Sequence, residues 1–242
     1  MFGSKLIKNR KARDEKNLHE RELRNEIDSY IKDIASILKI DVPEIIFVDY
    51  LFSSFYIKNH RFDESHILGI NSPYEKEIPD DAHFIGGYYN ESNGSIVISN
   101  TFQTIDSLLE ENMVVYKKFG ETYLVESSLQ EIVFTIAHEL RHLWQKVYEK
   151  QKYFENNAIN LEVLNDPSEI DADAFAIAYM YSDKTSFIRK DFPLHDAEMR
   201  LQGMLDKGAR WKRAEQLAKE YNFAGTEKIK LASKDCSAIG KI

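Results

Sequence analysis

The pentad His138-Glu139-Leu140-Arg141-His142 lies inside a run whose apolar residues recur with the period of an α-helix: Leu129, Ile132, Val133, Ile136, Leu140, Leu143 and Val147. On a helix, residues four apart lie on the same face one turn apart, so the two imidazoles can close on a single metal ion with bonds of about 2.0–2.1 Å. Glu139, one step round the helix, is badly placed to ligate that ion. It can instead reach a water held there, which is the position of a general base. With seven His and 23 Glu in 242 residues, the pattern should arise by chance about 0.02 times. The competing reading is a buried helix with two hydrogen-bonded histidines. Ser128 with Glu131 reads as a capping box, so the helix is expected to run from about Leu129 to Gln151.

Composition bounds the class. Hydrophobic residues make up 43% of the chain and charged residues 30%, as in ordinary globular proteins. A net charge of −8 speaks against nucleic-acid binding over the whole surface. Met1–Asn17 is charged and has no apolar core, so no secretory signal is expected. No apolar run approaches the 18 or so residues a membrane helix needs. The lone Cys236 cannot pair within the chain, which fits a reducing compartment and a cytoplasmic location.

Residues 1–24 hold eight Lys/Arg against four acids, a local excess open to a nucleic acid or an acidic partner, although such runs are more often solvated helix faces. From Leu23 an amphipathic helix is expected to stop near Asp41-Val42-Pro43. Residues 1–43 therefore read as an N-terminal segment, 44–225 as the main domain and 226–242 as a loosely packed tail. Glu44–Tyr50 is a strand candidate, and His83–Tyr89 with Ser95–Ser99 suggest a hairpin turning at Asn93-Gly94. Thr101–Glu111 reads as a helix, and Met113–Thr122 is ambiguous. A further helix is expected from Asp166-Pro167-Ser168-Glu169, then one over Leu194–Lys207 and one over Arg210–Tyr221.

Two histidines leave a catalytic zinc site one protein ligand short. Glu169 is the best third ligand, although it could instead complete a capping box with Asp166; Asp171 is the nearby substitute. Asp173, one turn beyond Glu169, is suited to accept a hydrogen bond from the outer nitrogen of a ligating histidine.

His138-Glu139-x-x-His142 followed by Glu169-x-x-x-Asp173 resembles the gluzincin type of zincin metallopeptidase. More narrowly, Glu169-x-Asp171-Ala172-Asp173-x-Phe175-Ala176 is similar to the second motif of the ImmA/IrrE family of metallo-endopeptidases, over roughly residues 84–182. That family usually carries a small residue where this chain has Arg141. The resemblance implies an α+β, zincin-like fold, mostly helical, with a small antiparallel or mixed sheet packed on the motif helix. It implies Zn²⁺ on His138, His142 and Glu169, with Glu139 as general base. It also implies a protein substrate, such as a transcriptional repressor. For an oxyanion donor besides the metal, His195 is the first candidate and Tyr88, Tyr89 and Arg200 are others. A hairpin strand could align an extended substrate by strand addition. Two other classes stay open: a non-catalytic zinc-binding regulatory module, and a nucleic-acid-associated protein acting through residues 1–24.

Overall fold

In the computed structural model, residues 23–54, 67–70, 82–90, 92–105, 115–119, 122–126, 129–149, 167–186 and 207–231 are described. Among them helix outweighs strand, and the architecture is α+β. Among the described residues no helix is long and apolar enough to cross a membrane.

Helix α1 spans residues 23–38 and buries Ile27, Ile31, Ile34, Ala35 and Leu38 along one stripe. It ends where Lys39 adopts a left-handed conformation (φ 55°) and Ile40 N–H donates to Ala35 O at 3.1 Å, four residues before Pro43. The β-branched run beyond Glu44 forms two strands, β1 (Ile45–Val48) and β2 (Tyr50–Ser54), that enter different sheets. In the second of these sheets, β2 lies between β3 (Ile67–Ile70) and β4 (Ala82–Phe84), antiparallel to both.

The first sheet is mixed, with spatial order β1, β6 (Ser95–Ser99), β5 (Gly87–Asn90). β6 runs parallel to β1 and antiparallel to β5. The expected hairpin is therefore present but shorter: His83 belongs to β4, and only Gly87–Asn90 pairs with β6. Its turn needs the backbone freedom of Gly94 at φ 75°. The Asn90 side chain fastens the loop, Oδ1 accepting from Ser92 N–H at 2.9 Å and Asn93 N–H at 3.3 Å.

Thr101–Ile105, expected to start a helix, is strand β7, paired with β9 (Thr122–Glu126). β9 also pairs with β8 (Val115–Phe119), which places a strand in the ambiguous stretch. Thr101, Thr104 and Ile105 are β-branched, and a ladder to a partner some twenty residues on outweighs the local capping signal at Asn100. Residues 106–111 lie outside the described residues.

Helix α2 (Leu129–Tyr148) carries the histidine pair and lies against β5 and β6. Ile132, Val133, Ile136 and Leu140 are buried, whereas Val147 is on the surface. Helix α3 (Pro167–Met180) begins at the proline and is buried nearly all round from Ala172 onward. Its alanines at 172, 174, 176 and 178 let α2 and helix α4 (Lys207–Glu220) pack closely on either side. The expected helix over Leu194–Lys207 lies outside the described residues up to 206, while Lys207 and Gly208 open α4. Residues 227–231 form a short helix with Ile229 fully buried, so the segment after Thr226 begins packed.

One hydrophobic cluster joins α1, β5, β6 and α2 to α4. Tyr179 of α3 donates its hydroxyl to Asp33 of α1 at 2.9 Å, and Lys184 holds the other Asp33 oxygen at 2.7 Å. Tyr148 of α2 donates to Lys39 O at 2.6 Å. The N-terminal helix is thus part of the wall behind the motif helix. Ile34 is fully buried in this wall, and Ile34→Ala should cost about 2–5 kcal/mol of unfolding free energy, read by denaturant titration.

Candidate metal centre

The sequence pattern alone puts His138 and His142 on one face of α2; the fold adds Glu169 from the first turn of α3. Their ligand atoms all lie within 4.8 Å of one another. His138 Nε2 and His142 Nε2 are 3.0 Å apart. The Glu169 carboxylate straddles them, Oε2 at 3.3 Å from His138 Nε2 and Oε1 at 3.2 Å from His142 Nε2. A tetrahedral centre with bonds of about 2.0–2.1 Å has ligand-to-ligand edges of about 3.3–3.4 Å, so these separations fit a small cation.

The outer nitrogens decide which atoms face inward. His138 Nδ1 lies 2.9 Å from Asp173 Oδ1, a carboxylate that can only accept. His142 Nδ1 lies 3.0 Å from Gln145 Oε1. The Gln145 amide is oriented by its other end, where Nε2 donates to Ser168 O and to Asp171 Oδ2, both at 3.0 Å. Both imidazoles therefore carry their proton on Nδ1 when neutral. Two Nε2 lone pairs and a carboxylate then converge on one point, an arrangement that could hold a metal ion.

The next layer out supplies the counter-charge. Arg210 Nε donates to Asp173 Oδ2 at 2.7 Å, both groups being buried. Asp171 receives Arg141 Nε at 2.7 Å and Arg213 Nε at 2.6 Å. Asp171 is thus committed to two guanidinium groups and is not the third ligand. Arg141 points away from the ligand atoms. It is fully buried, donates from Nη1 to Tyr221 OH at 2.8 Å, and stacks on Trp144 with 3.7 Å between guanidinium carbon and ring centroid. The three guanidinium groups thus meet Asp171 and Asp173, while Glu139 and Glu169 are the carboxylates that stand beside the histidines.

Glu139 is buried against β5, where the Tyr89 N–H bonds its carboxylate. Burial pushes its pKa up, and the two neighbouring histidines pull only part of that back. The strand approaches this closely because Gly87 has no side chain: a Cβ there would stand 2.6 Å from Thr135 Cγ2 and 3.0 Å from Glu139 Oε1. Tyr89 thus meets the cluster through its backbone, its ring lying 5.0 Å from the Lys146 ammonium, and Tyr88 is half-buried in the same strand. His195 and Arg200 lie outside the described residues.

Gln145, Arg141, Arg210 and Arg213 were not legible as site residues. Gln145 sits three residues beyond His142, hence on its face, which is a faint signal. The arginines of α4 read locally as an ordinary polar face. Compared with protein-family models, curated proteins and solved structures, the chain matches none.

In the metal-free protein, burial lowers the pKa of His138, but the Asp173 and Glu169 carboxylates outweigh it and hold it well above 6.5; His142 is raised in the same sense, chiefly by Glu169. A raised folded pKa stabilises the fold fully below the unfolded value of about 6.5, and that contribution is lost as pH rises through the elevated value. Metal needs the same nitrogens unprotonated, so its affinity moves the opposite way. Thermal unfolding with chelator should therefore show a melting temperature that falls as pH rises above about 6.5. With saturating zinc the gain over the chelated protein should grow across that range.

Proposed function

We propose that this chain is a zinc-dependent metallo-endopeptidase of the gluzincin type, with a zincin-like arrangement of α2, α3 and the β1-β6-β5 sheet. The observation that carries the reading is the convergence of His138 Nε2, His142 Nε2 and the Glu169 carboxylate within 3.0–3.3 Å of one another, with Glu139 beside them. His138, His142 and Glu169 would hold Zn²⁺, since imidazole nitrogen and carboxylate oxygen are the donors found in open zinc sites. Bound there, the ion would supply a Lewis acid and an acidified water.

The chain's own groups do the rest. Asp173 and Gln145 fix the two imidazoles with Nε2 inward. Glu139 takes a proton from the attacking water on its carboxylate and returns it to the leaving amine. A pKa raised by burial suits that shuttle, because it brings the carboxylate closer to the operating pH. Among the described residues β5 is a terminal strand of its sheet, in the order β1-β6-β5. Its residues Gly87 and Tyr89 approach Glu139, so an extended peptide lying along β5 would pass the base. A flexible segment of a protein substrate, a repressor being the class the family resemblance implies, is the kind of ligand that can take this path. Location in the cytoplasm belongs to the same reading.

Glu139→Gln tests it, because the amide keeps size and hydrogen bonding but cannot take a proton. Zinc content should stay that of the wild type, while cleavage of a mixed peptide library, followed by mass spectrometry, should fall by at least about 10²–10⁴-fold. Wild-type protein that holds zinc yet cleaves nothing in the library would favour a non-catalytic zinc-binding module.

A further inference from the structure

Behind each histidine stands a chain of hydrogen bonds that ends on an arginine of α4, and the two chains differ. His138 is backed by Asp173 and the buried Arg210. His142 is backed by the neutral amide of Gln145, which hangs from Asp171, which in turn is held by Arg141 and Arg213. A neutral amide oxygen polarises an imidazole N–H less than a carboxylate does, so the second histidine depends more on how its acceptor is oriented. That orientation comes from Gln145 Nε2, which donates to Ser168 O and Asp171 Oδ2 at 3.0 Å each. Asp171 Oδ2 is itself fixed by Arg141 Nε at 2.7 Å, while Oδ1 is fixed by Arg213 Nε at 2.6 Å. Arg213 is the outermost member, its side chain 34% exposed where Arg141 and Arg210 are fully buried.

We propose that Gln145, Asp171 and Arg213 form a positioning chain that holds His142 Nε2 toward the metal and so sets the affinity of the site, with Arg213 of α4 as its outer, adjustable end. The chain explains a sequence feature that ligation does not use. Two acids two positions apart, Asp171 and Asp173, serve one histidine each: Asp173 directly, Asp171 through an amide. It also gives α4, remote in sequence from both metal motifs, a role at the centre. This inference rests on the metal-centre reading above.

The test is a double-mutant cycle on zinc affinity, measured with the zinc ion alone against a competing chelator. Gln145→Met keeps length and apolar bulk but removes both ends of the link. It should weaken zinc binding about 10–100-fold, the usual cost of losing such a support. Arg213→Met should weaken it in the same direction by a smaller factor. The double variant should bind no more weakly than Gln145→Met alone, because Arg213 acts only through Gln145. A residue that merely stabilises the fold would instead lower the melting temperature of the metal-free protein and leave the cycle additive. Additive losses, or Gln145→Met affinity within twofold of wild type, would overturn the proposal while leaving the metal centre standing. Should Gln145→Met not fold, the partly exposed Arg213→Met still decides, since unchanged zinc affinity there contradicts the chain. Wild-type protein that binds no zinc would remove the metal-centre reading and this inference together.

Discussion

Two imidazole nitrogens and a carboxylate point at one another in this centre, and much of the surrounding structure serves to keep them there. The two Nε2 atoms 3.0 Å apart repel when both imidazoles are neutral, and the Glu169 carboxylate adds a negative charge at 3.2–3.3 Å from each. Without a metal the Asp173 and Glu169 carboxylates favour protonated imidazoles and raise both histidine pKa values against the effect of burial, and the imidazoles in turn hold Glu169 well below its ordinary value. A divalent ion resolves the same conflict without protons. Proton and metal are thus competing solutions to one arrangement of acceptors.

Holding that arrangement requires charge inside the protein. Arg141 and Arg210 are fully buried, and each is tied to an aspartate that supports a ligand. Removing one partner of such a pair leaves the other charged and unsolvated, typically at a cost of about 3–5 kcal/mol. A rigid frame for these pairs comes from α3, whose small alanines let α2 and α4 approach it closely and whose C-terminal end is tied to α1 by the bond from Tyr179 to Asp33. The sheet contributes differently: Gly87 lets β5 come against Glu139, and the Tyr89 N–H bonds the carboxylate. Core and site are therefore one construction, with the polar network inside a shell of packed helices.

The centre of this construction was legible in the sequence because it is local. His138, Glu139 and His142 fall within one helical turn, and Pro167 with Glu169 mark the start of the next helix. Asp173 followed from the one-turn spacing to Glu169. What stayed hidden depends on long-range placement. Gln145 looks like any exposed glutamine until α3 brings Ser168 and Asp171 against it. Arg141 looks like a departure within the motif until Asp171, Tyr221 and Trp144 are seen around it. Thr101–Ile105 read as a helix because a cap is a local signal, whereas its ladder partner in β9 is not.

The measurement that bears most directly on the central claim is zinc K-edge X-ray absorption on protein purified without chelator, together with metal content per chain. Close to one zinc per chain is expected, with two imidazole nitrogens and oxygen donors at about 2.0–2.2 Å and no sulfur. Folded protein that carries no zinc, or a spectrum with fewer than two imidazoles, would contradict it.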